Sequence, residues 1–182
     1  MTTTLRTSTP RLTTPRLTLR RWREDDVEPM AAINADPEVM RWIGDGSVRD
    51  RAETVARIAA WEREWEEYGV GLFAVEDRES GRFVGFAGLS VPTFLPEILP
   101  AVEIGWRFGK DFWGRGLATE AARAVLDFAL RDRGLARLVS VHAVGNDASE
   151  GVMRKLGMRV ERRTTHPAHG GPLCVHVLEA RS

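Results

Sequence analysis

Apolar and polar positions alternate along this chain with two distinct periods, and the changes of period divide it into elements. Between Pro15 and Trp22, Leu17 and Leu19 alternate with Thr18 and Arg20, the two-residue period of a half-buried strand. Glu24, Asp25 and Asp26 then put negative charge where a helix running to Asn34 would begin. Asp36 and Pro37 open a short helix carrying Val39, Met40 and Ile43. From Val48 to Tyr68 the residues Val55, Ile58, Ala59, Trp61 and Trp65 recur at helical spacing, and Gly69 closes the run. Strands are expected over Gly71 to Glu76 and Arg82 to Ser90, joined by a hairpin turn at Asp77 to Gly81. The prolines of VPTFLPEILP interrupt the sheet, so this stretch reads as a loop before a strand from Ala101 to Phe108. Gly116 to Arg131 is an amphipathic helix with Ala121, Val125, Phe128 and Ala129 on one face. Leu138 to Ala143, Met158 to Arg163 and Leu173 to Glu179 read as strands, with a helix from Ala148 to Leu156 ended by Gly157.

This order predicts an α/β (α+β) fold with a mixed, mostly antiparallel sheet of about seven strands flanked by helices. The Thr- and Pro-rich residues 1–14 read as a flexible segment, leaving 15–182 as a single domain without internal repeats. At 182 residues and 43% hydrophobic content, one core is large enough to hold such a domain. The 26 basic residues balance 26 acidic ones, and no aromatic-basic stripe appears, so neither nucleic acid nor an anionic membrane is an expected partner. The single cysteine, Cys174, excludes an internal disulfide, fits a reducing compartment and reads as strand filling. With no signal-peptide run and no stretch near the roughly 18 apolar residues of a membrane span, a soluble cytoplasmic protein is expected.

The segment AVEIGWRFGKDFWGRGLATEAARAVLDFAL places a strand, a glycine-bearing turn and a long helix in succession. Gly114 and Gly116 allow a tight turn and close approach of a bound group, and the free N–H groups of the helix's first turn suit a pyrophosphate. A lone G-x-G more often does no more than shape a strand-to-helix turn. A dinucleotide-binding Rossmann half is a weak reading, because Thr119 stands where the third glycine of G-x-G-x-x-G is required.

Phe112 to Ala122, FWGRGLATEAA, resembles the acyl-CoA pyrophosphate loop of GNAT N-acetyltransferases, specifically the branch containing the RimJ and RimL protein N-terminal acetyltransferases. Val102 to Trp106, VEIGW, resembles that branch's fourth strand, and Asn146 to Met158, NDASEGVMRKLGM, its N-x-x-S-x-x-V-x-x-K-L-G-F signature. The three blocks span residues 101–158, with compatible elements over 15–180. The resemblance implies a splayed, V-shaped cleft between the strand ending at Phe108 and the one ending near His142, with a β-bulge in the first. It implies acetyl-CoA as co-substrate, a primary amine as acceptor, direct attack in a ternary complex, and no metal. Its cofactor-binding positions here are Trp106, Arg107, Phe108, Gly114, Arg115, Gly116, Leu117, Ala118, Thr119 and Asn146. Where the superfamily has Gln or Arg three residues before the first glycine, this chain has Asp111, which shifts the anion-binding role to backbone N–H groups and Arg115.

A protonated amine cannot attack, so a base is needed, and Glu103 on the strand reaching the reaction centre is the first candidate. A solvated or salt-bridged strand carboxylate is its alternative reading. The family's leaving-group acid is commonly a tyrosine, but the only tyrosine here is Tyr68, far upstream. Ser149 is the substitute, with an N-cap or first-turn role in the following helix as its alternative, while Asn146 either contacts the pantetheine arm or shapes a turn. His142 is an alternative base or an ordinary half-buried residue. The spacing of His166, His169 and His176 supports no metal site. Trp42, Ile43, Phe94, Leu95 and Leu99 line an apolar mouth for a protein N-terminus or small amine, or belong to the core or a dimer contact. A homodimer is the first guess for assembly. Succinyl-CoA stays open as donor, and a non-catalytic CoA-binding regulatory module stays open as the competing function.

Overall fold

Leu17, Thr18, Leu19 and Arg20 alternate in polarity but are all buried, so the strand they form is covered on both faces. In the computed structural model, which describes residues 10–180, this strand belongs to an eight-stranded, mostly antiparallel sheet flanked by helices. The strands are β1 (Leu12–Thr13), β2 (Leu17–Arg20), β3 (Leu72–Asp77), β4 (Phe83–Ser90), β5 (Glu103–Phe108), β6 (Arg137–Ala143), β7 (Arg159–Thr165) and β8 (Pro172–Glu179), in the order β1-β2-β3-β4-β5-β6-β8-β7. The eighth strand beyond those expected is β1, a two-residue strand inside the segment read as flexible. Its Leu12 stands opposite Leu19 of β2. Residues 1–9 lie outside the described part of the chain.

The helices are α1 (Val27–Ala35), α2 (Pro37–Met40), α3 (Arg51–Tyr68), α4 (Leu117–Asp127) and α5 (Asp147–Lys155). The helix expected from Glu24 begins instead as a 3₁₀ turn, because the Asp26 carboxylate accepts from the Arg23 backbone N–H and also binds the buried Arg20 at 2.7 and 2.9 Å. Likewise α3 starts at Arg51 rather than Val48, where Asp50 and Glu53 form a reciprocal capping box. The expected helix to Arg131 is α-helical to Asp127 and finishes as a π turn over Phe128–Asp132.

Two apolar layers hold the sheet. On one face, Trp22, Met30, Ile33, Val39, Ile58 and Trp61 pack α1, α2 and α3 onto Leu72, Ala74 and Phe86. On the other, Leu117, Ala121, Val125, Val152 and Met153 bring α4 and α5 onto Val75, Leu89, Ile104 and Leu138. Because side chains alternate along a strand, β5 sends Ile104, Trp106 and Phe108 to the α4 face and Glu103, Gly105 and Arg107 to the α1–α3 face. Among the described residues no helix is long and apolar enough to cross a membrane.

Candidate active site

β5 and β6 run parallel but share one register pair, Glu103 with Val139. The Val139 N–H donates to the Val102 carbonyl at 2.9 Å, and the Ser140 hydroxyl donates to the Ile104 carbonyl at 2.8 Å. Past these bonds the strands part, and the V opens toward their C-terminal ends. The bulge expected in β5 is absent: its ladder with β4 runs unbroken from Ser90–Glu103 to Gly85–Phe108. Register shifts fall elsewhere, at Val75/Glu76 between β3 and β4 and at Val160/Arg162 between β7 and β8. Loss of the β6 partner, rather than a bulge, frees the β5 backbone.

Backbone direction alternates too, so which residues are freed can be read from the bonds already named. Val102 and Ile104 point their carbonyls at β6, which puts the backbone groups of Trp106 and Phe108 on the open side and those of Arg107 toward β4, opposite Phe86. The Phe108 carbonyl is taken by the Trp113 indole N–H at 2.9 Å. Trp106 and the Phe108 N–H therefore fit the strand-like contact expected for a pantetheine arm. Arg107 departs from that expectation, and its buried side chain lies on the opposite face.

Beyond β5 the chain makes an exposed turn at Gly114, Arg115 and Gly116, with φ of 71° at Gly114 and 76° at Gly116, a region that disfavours any residue with a Cβ. A Cβ on Gly114 would meet nothing within 4 Å, and one on Gly116 only the Arg16 guanidinium at 3.6 Å. No side chain caps α4, so the N–H groups of its first turn, Leu117, Ala118 and Thr119, remain available, while the buried Leu117 side chain anchors the helix in the core. The donors and open space fit a diphosphate. Arg115 lies with its guanidinium 5.9 Å from the Phe112 ring, and Asp111 turns away toward Arg82 at 3.5 Å. Arg16 was not singled out from the sequence: it donates to the Arg115 carbonyl at 2.8 Å and is held by Glu120 at 2.6 Å. Only the folding of the β1–β2 loop over α4 places it there.

At the start of α5, the Asn146 side chain caps the helix by accepting from the Ser149 N–H at 3.2 Å. The turn-forming reading of Asn146 thus holds, with its amide NH₂ left to donate. Ser149 is not the cap but the third residue of α5, so the first-turn alternative describes its position, and it is half-buried. Trp42 lies against the preceding turn, its ring 3.3 Å from where a Gly145 Cβ would stand.

Two groups on the α1–α3 face of β5 have displaced acid-base properties. Burial pushes the Glu103 carboxyl up to about 7, against a lowering contribution from the Val141 N–H and with a further raise from Glu64. Glu64, on α3, is itself raised by burial, and its carboxylate has a buried oxygen without a partner. Nothing in the helical pattern marks Glu64 among the acids around it. Burial likewise draws Arg107 down to about 9, assisted by the charges of Arg49 and Arg57.

His142 faces α5 rather than Glu103. Antiparallel register sets it opposite Cys174, and the ligand atoms of His142, Cys174 and His176 come within 4.8 Å of one another, a grouping that sequence spacing did not suggest. The expected apolar mouth divides. Leu95 is fully buried with Ile98, Val139 and Val175, whereas Phe94 and Leu99 are exposed, and Phe94 stacks on His166 at 5.6 Å.

Comparison with known proteins agrees with this geometry. Residues 16–159 match the family model described as acetyltransferase (GNAT) domain. The protein YkkB of Bacillus subtilis (strain 168) is 35% identical over 127 residues, 70% of this chain and 72% of that one. An acetyltransferase from Agrobacterium tumefaciens str. C58 superposes with a TM-score of 0.80 at 28% identity, covering 95% of this chain and 96% of its own. RimL, the ribosomal L7/L12 alpha-N-protein acetyltransferase solved with coenzyme A, shares the fold with a TM-score of 0.79 at 15% identity, covering 93% and 98% of the two chains. A splayed β5–β6 pair leading to an uncapped glycine turn, within a domain matched over most of its length, makes this chain a member of the GNAT acetyltransferases, whose general reaction is acetyl-CoA-dependent N-acetylation.

Proposed function

We propose that the protein transfers an acetyl group from acetyl-CoA to a primary amine by direct attack in a ternary complex. One observation carries this reading: the β5–β6 gap runs from Glu103, a carboxyl poised near neutrality, to the uncapped start of α4. The backbone N–H groups of Gly116 to Thr119 and the Arg115 guanidinium hold the diphosphate, and the Trp106 backbone and Asn146 amide hold the pantetheine arm.

Acetyl-CoA supplies an activated thioester. Glu103 accepts the proton that the amine must lose, directly or through water, and its elevated pKa matches that task near pH 7. A free β5 N–H facing the gap polarises the acyl carbonyl as the new C–N bond forms and the C–S bond breaks. Ser149 donates toward the departing thiolate. Positioning of amine against thioester supplies much of the remaining acceleration.

The deciding experiment is thiol release by purified protein supplied with acetyl-CoA or succinyl-CoA and a panel of amines and peptides. Turnover with acetyl-CoA supports the reading. Tight CoA binding without release of thiol on any acceptor identifies a non-catalytic CoA-binding module instead.

A further inference from the structure

The α1–α3 face of β5 carries, in order, Glu103, Gly105 and Arg107. A Cβ on Gly105 would meet nothing within 4 Å, so a carboxylate and a guanidinium flank an open space. Their Cα atoms, four strand residues apart, are separated by about 13 Å; the Glu103 carboxyl accepts from Val141 of β6 and the Arg107 guanidinium lies by Asn34 and Phe86, so an acceptor has to reach from one to the other.

Arg107 carries a donor that the chain leaves unpaired. It is 9% exposed, its Nη1 donates to the Asn34 amide oxygen at 2.6 Å, and its Nε is buried without a partner. Asn34 is fixed in turn: its NH₂ donates to Thr54 at 3.0 Å, and its backbone carbonyl accepts from the Arg49 N–H at 2.9 Å. The guanidinium is thus held by a neutral amide and lies 5.2 Å from the Phe86 ring. Among the described residues, none of Arg49, Arg57 and Arg107 forms an ion pair with a carboxylate within 4.0 Å. Glu53 and Asp45, the acids nearest Arg49, are engaged with Asp50 and Ser47. Arg57 follows Thr54 by three residues on α3, which puts it on the same helical face. A buried cation without a counter-ion is costly, and the cost is relieved when an anion binds.

We propose that Arg107, with Arg49 and Arg57, forms a subsite for a carboxylate on the acceptor. The acceptor class is then a free amino acid, whose amine lies over Gly105 beside Glu103 and whose carboxylate meets Arg107. This inference rests on the acetyltransferase reading and specifies its substrate.

The test compares each of the twenty α-amino acids with its carboxamide as acceptor in the thiol-release assay. Carboxamides have the less basic amine, so a preference for the free acid cannot come from amine reactivity. The expected result is a kcat/KM ratio of acid to carboxamide of about tenfold or more for the best acceptor, carried by KM, as loss of a charged contact implies. Arg107→Gln should reduce that ratio about tenfold, and the exposed Arg57→Gln, which leaves the core untouched, about threefold. Equal use of acid and carboxamide, a ratio unmoved by both substitutions, or acetylation of other amines but no amino acid overturns the subsite while leaving the acetyltransferase reading intact. Absence of thiol release with every amine overturns both.

Discussion

The Ser140 hydroxyl donates to the Ile104 carbonyl across the parallel strands at 2.8 Å, and beyond that bond β5 and β6 separate. Ser140 is 2% exposed, so its bond to a main-chain acceptor in the core is also a structural tie at the point of the V. Ser140→Ala leaves a buried carbonyl short of a partner and is expected to cost about 1–2 kcal/mol. Thermal unfolding should show a lower Tm by a few degrees, and CoA affinity should fall with it as the gap loses its fixed apex. Unchanged values of both would show that the strands are held apart by other contacts.

Gly116→Asp puts a Cβ at φ 76° and a negative charge beside the backbone N–H groups proposed to hold the diphosphate. Calorimetry should show acetyl-CoA binding abolished in a protein whose circular dichroism matches wild type. Gly116→Ala, which adds the strain without the charge, should retain measurable though weaker binding. Equal affinities for wild type and the Asp variant would remove the diphosphate from this turn.

Glu103 has to be ionised to accept a proton, so kcat/KM is expected to rise with pH through about 7 and then level. Glu103→Gln should flatten that limb and slow turnover far more than it weakens CoA binding. Since the nearby Glu64 carboxylate contributes to the elevation, Glu64→Gln should move the limb to lower pH. The stability sign is opposite to that of an ion-paired acid: the folded-state pKa is raised, so the associated stability is complete below the ordinary carboxylate pKa and is lost as pH rises through about 7. A pH series of denaturant midpoints should therefore decline less steeply over that range in Glu103→Gln. A variant profile that overlays wild type would exclude Glu103 as the base.

Arg20 is 8% exposed and is paired with Asp26 and Glu76, which raise its pKa above the ordinary guanidinium value. Asp26→Ala strands most of that charge in the protein and releases the 3₁₀ turn ahead of α1, at an expected cost of about 3–5 kcal/mol by urea denaturation. A loss under about 1 kcal/mol would mean that Glu76 alone satisfies Arg20.

Local rules carried most of the fold. Period-two alternation found β2, strand-forming runs bounded by turn signals found β3 to β8, three-and-four spacing found α3 and α4, and the Gly114–Gly116 turn was legible because two glycines stand just ahead of a helix. These features depend on neighbours within about one helical turn, which the sequence displays directly.

Contacts between distant segments did not follow from those rules. Arg107 and Trp106 are adjacent in sequence, yet the sheet turns one toward Asn34 and leaves the other's backbone at the gap. Glu64 became a neighbour of Glu103 only when α3 brought it against the Val91 backbone just past β4, and Arg16 reached Arg115 only when the β1–β2 loop crossed α4. The β6–β8 register, set by pairing over seven residues, gathered His142 of β6 with Cys174 and His176 of β8. Sequence thus determined the elements and the Gly114–Gly116 turn, since both rest on backbone geometry and short-range periodicity. Tertiary structure decided which charges meet, because burial and pairing of a charge are set by whatever the rest of the chain brings against it.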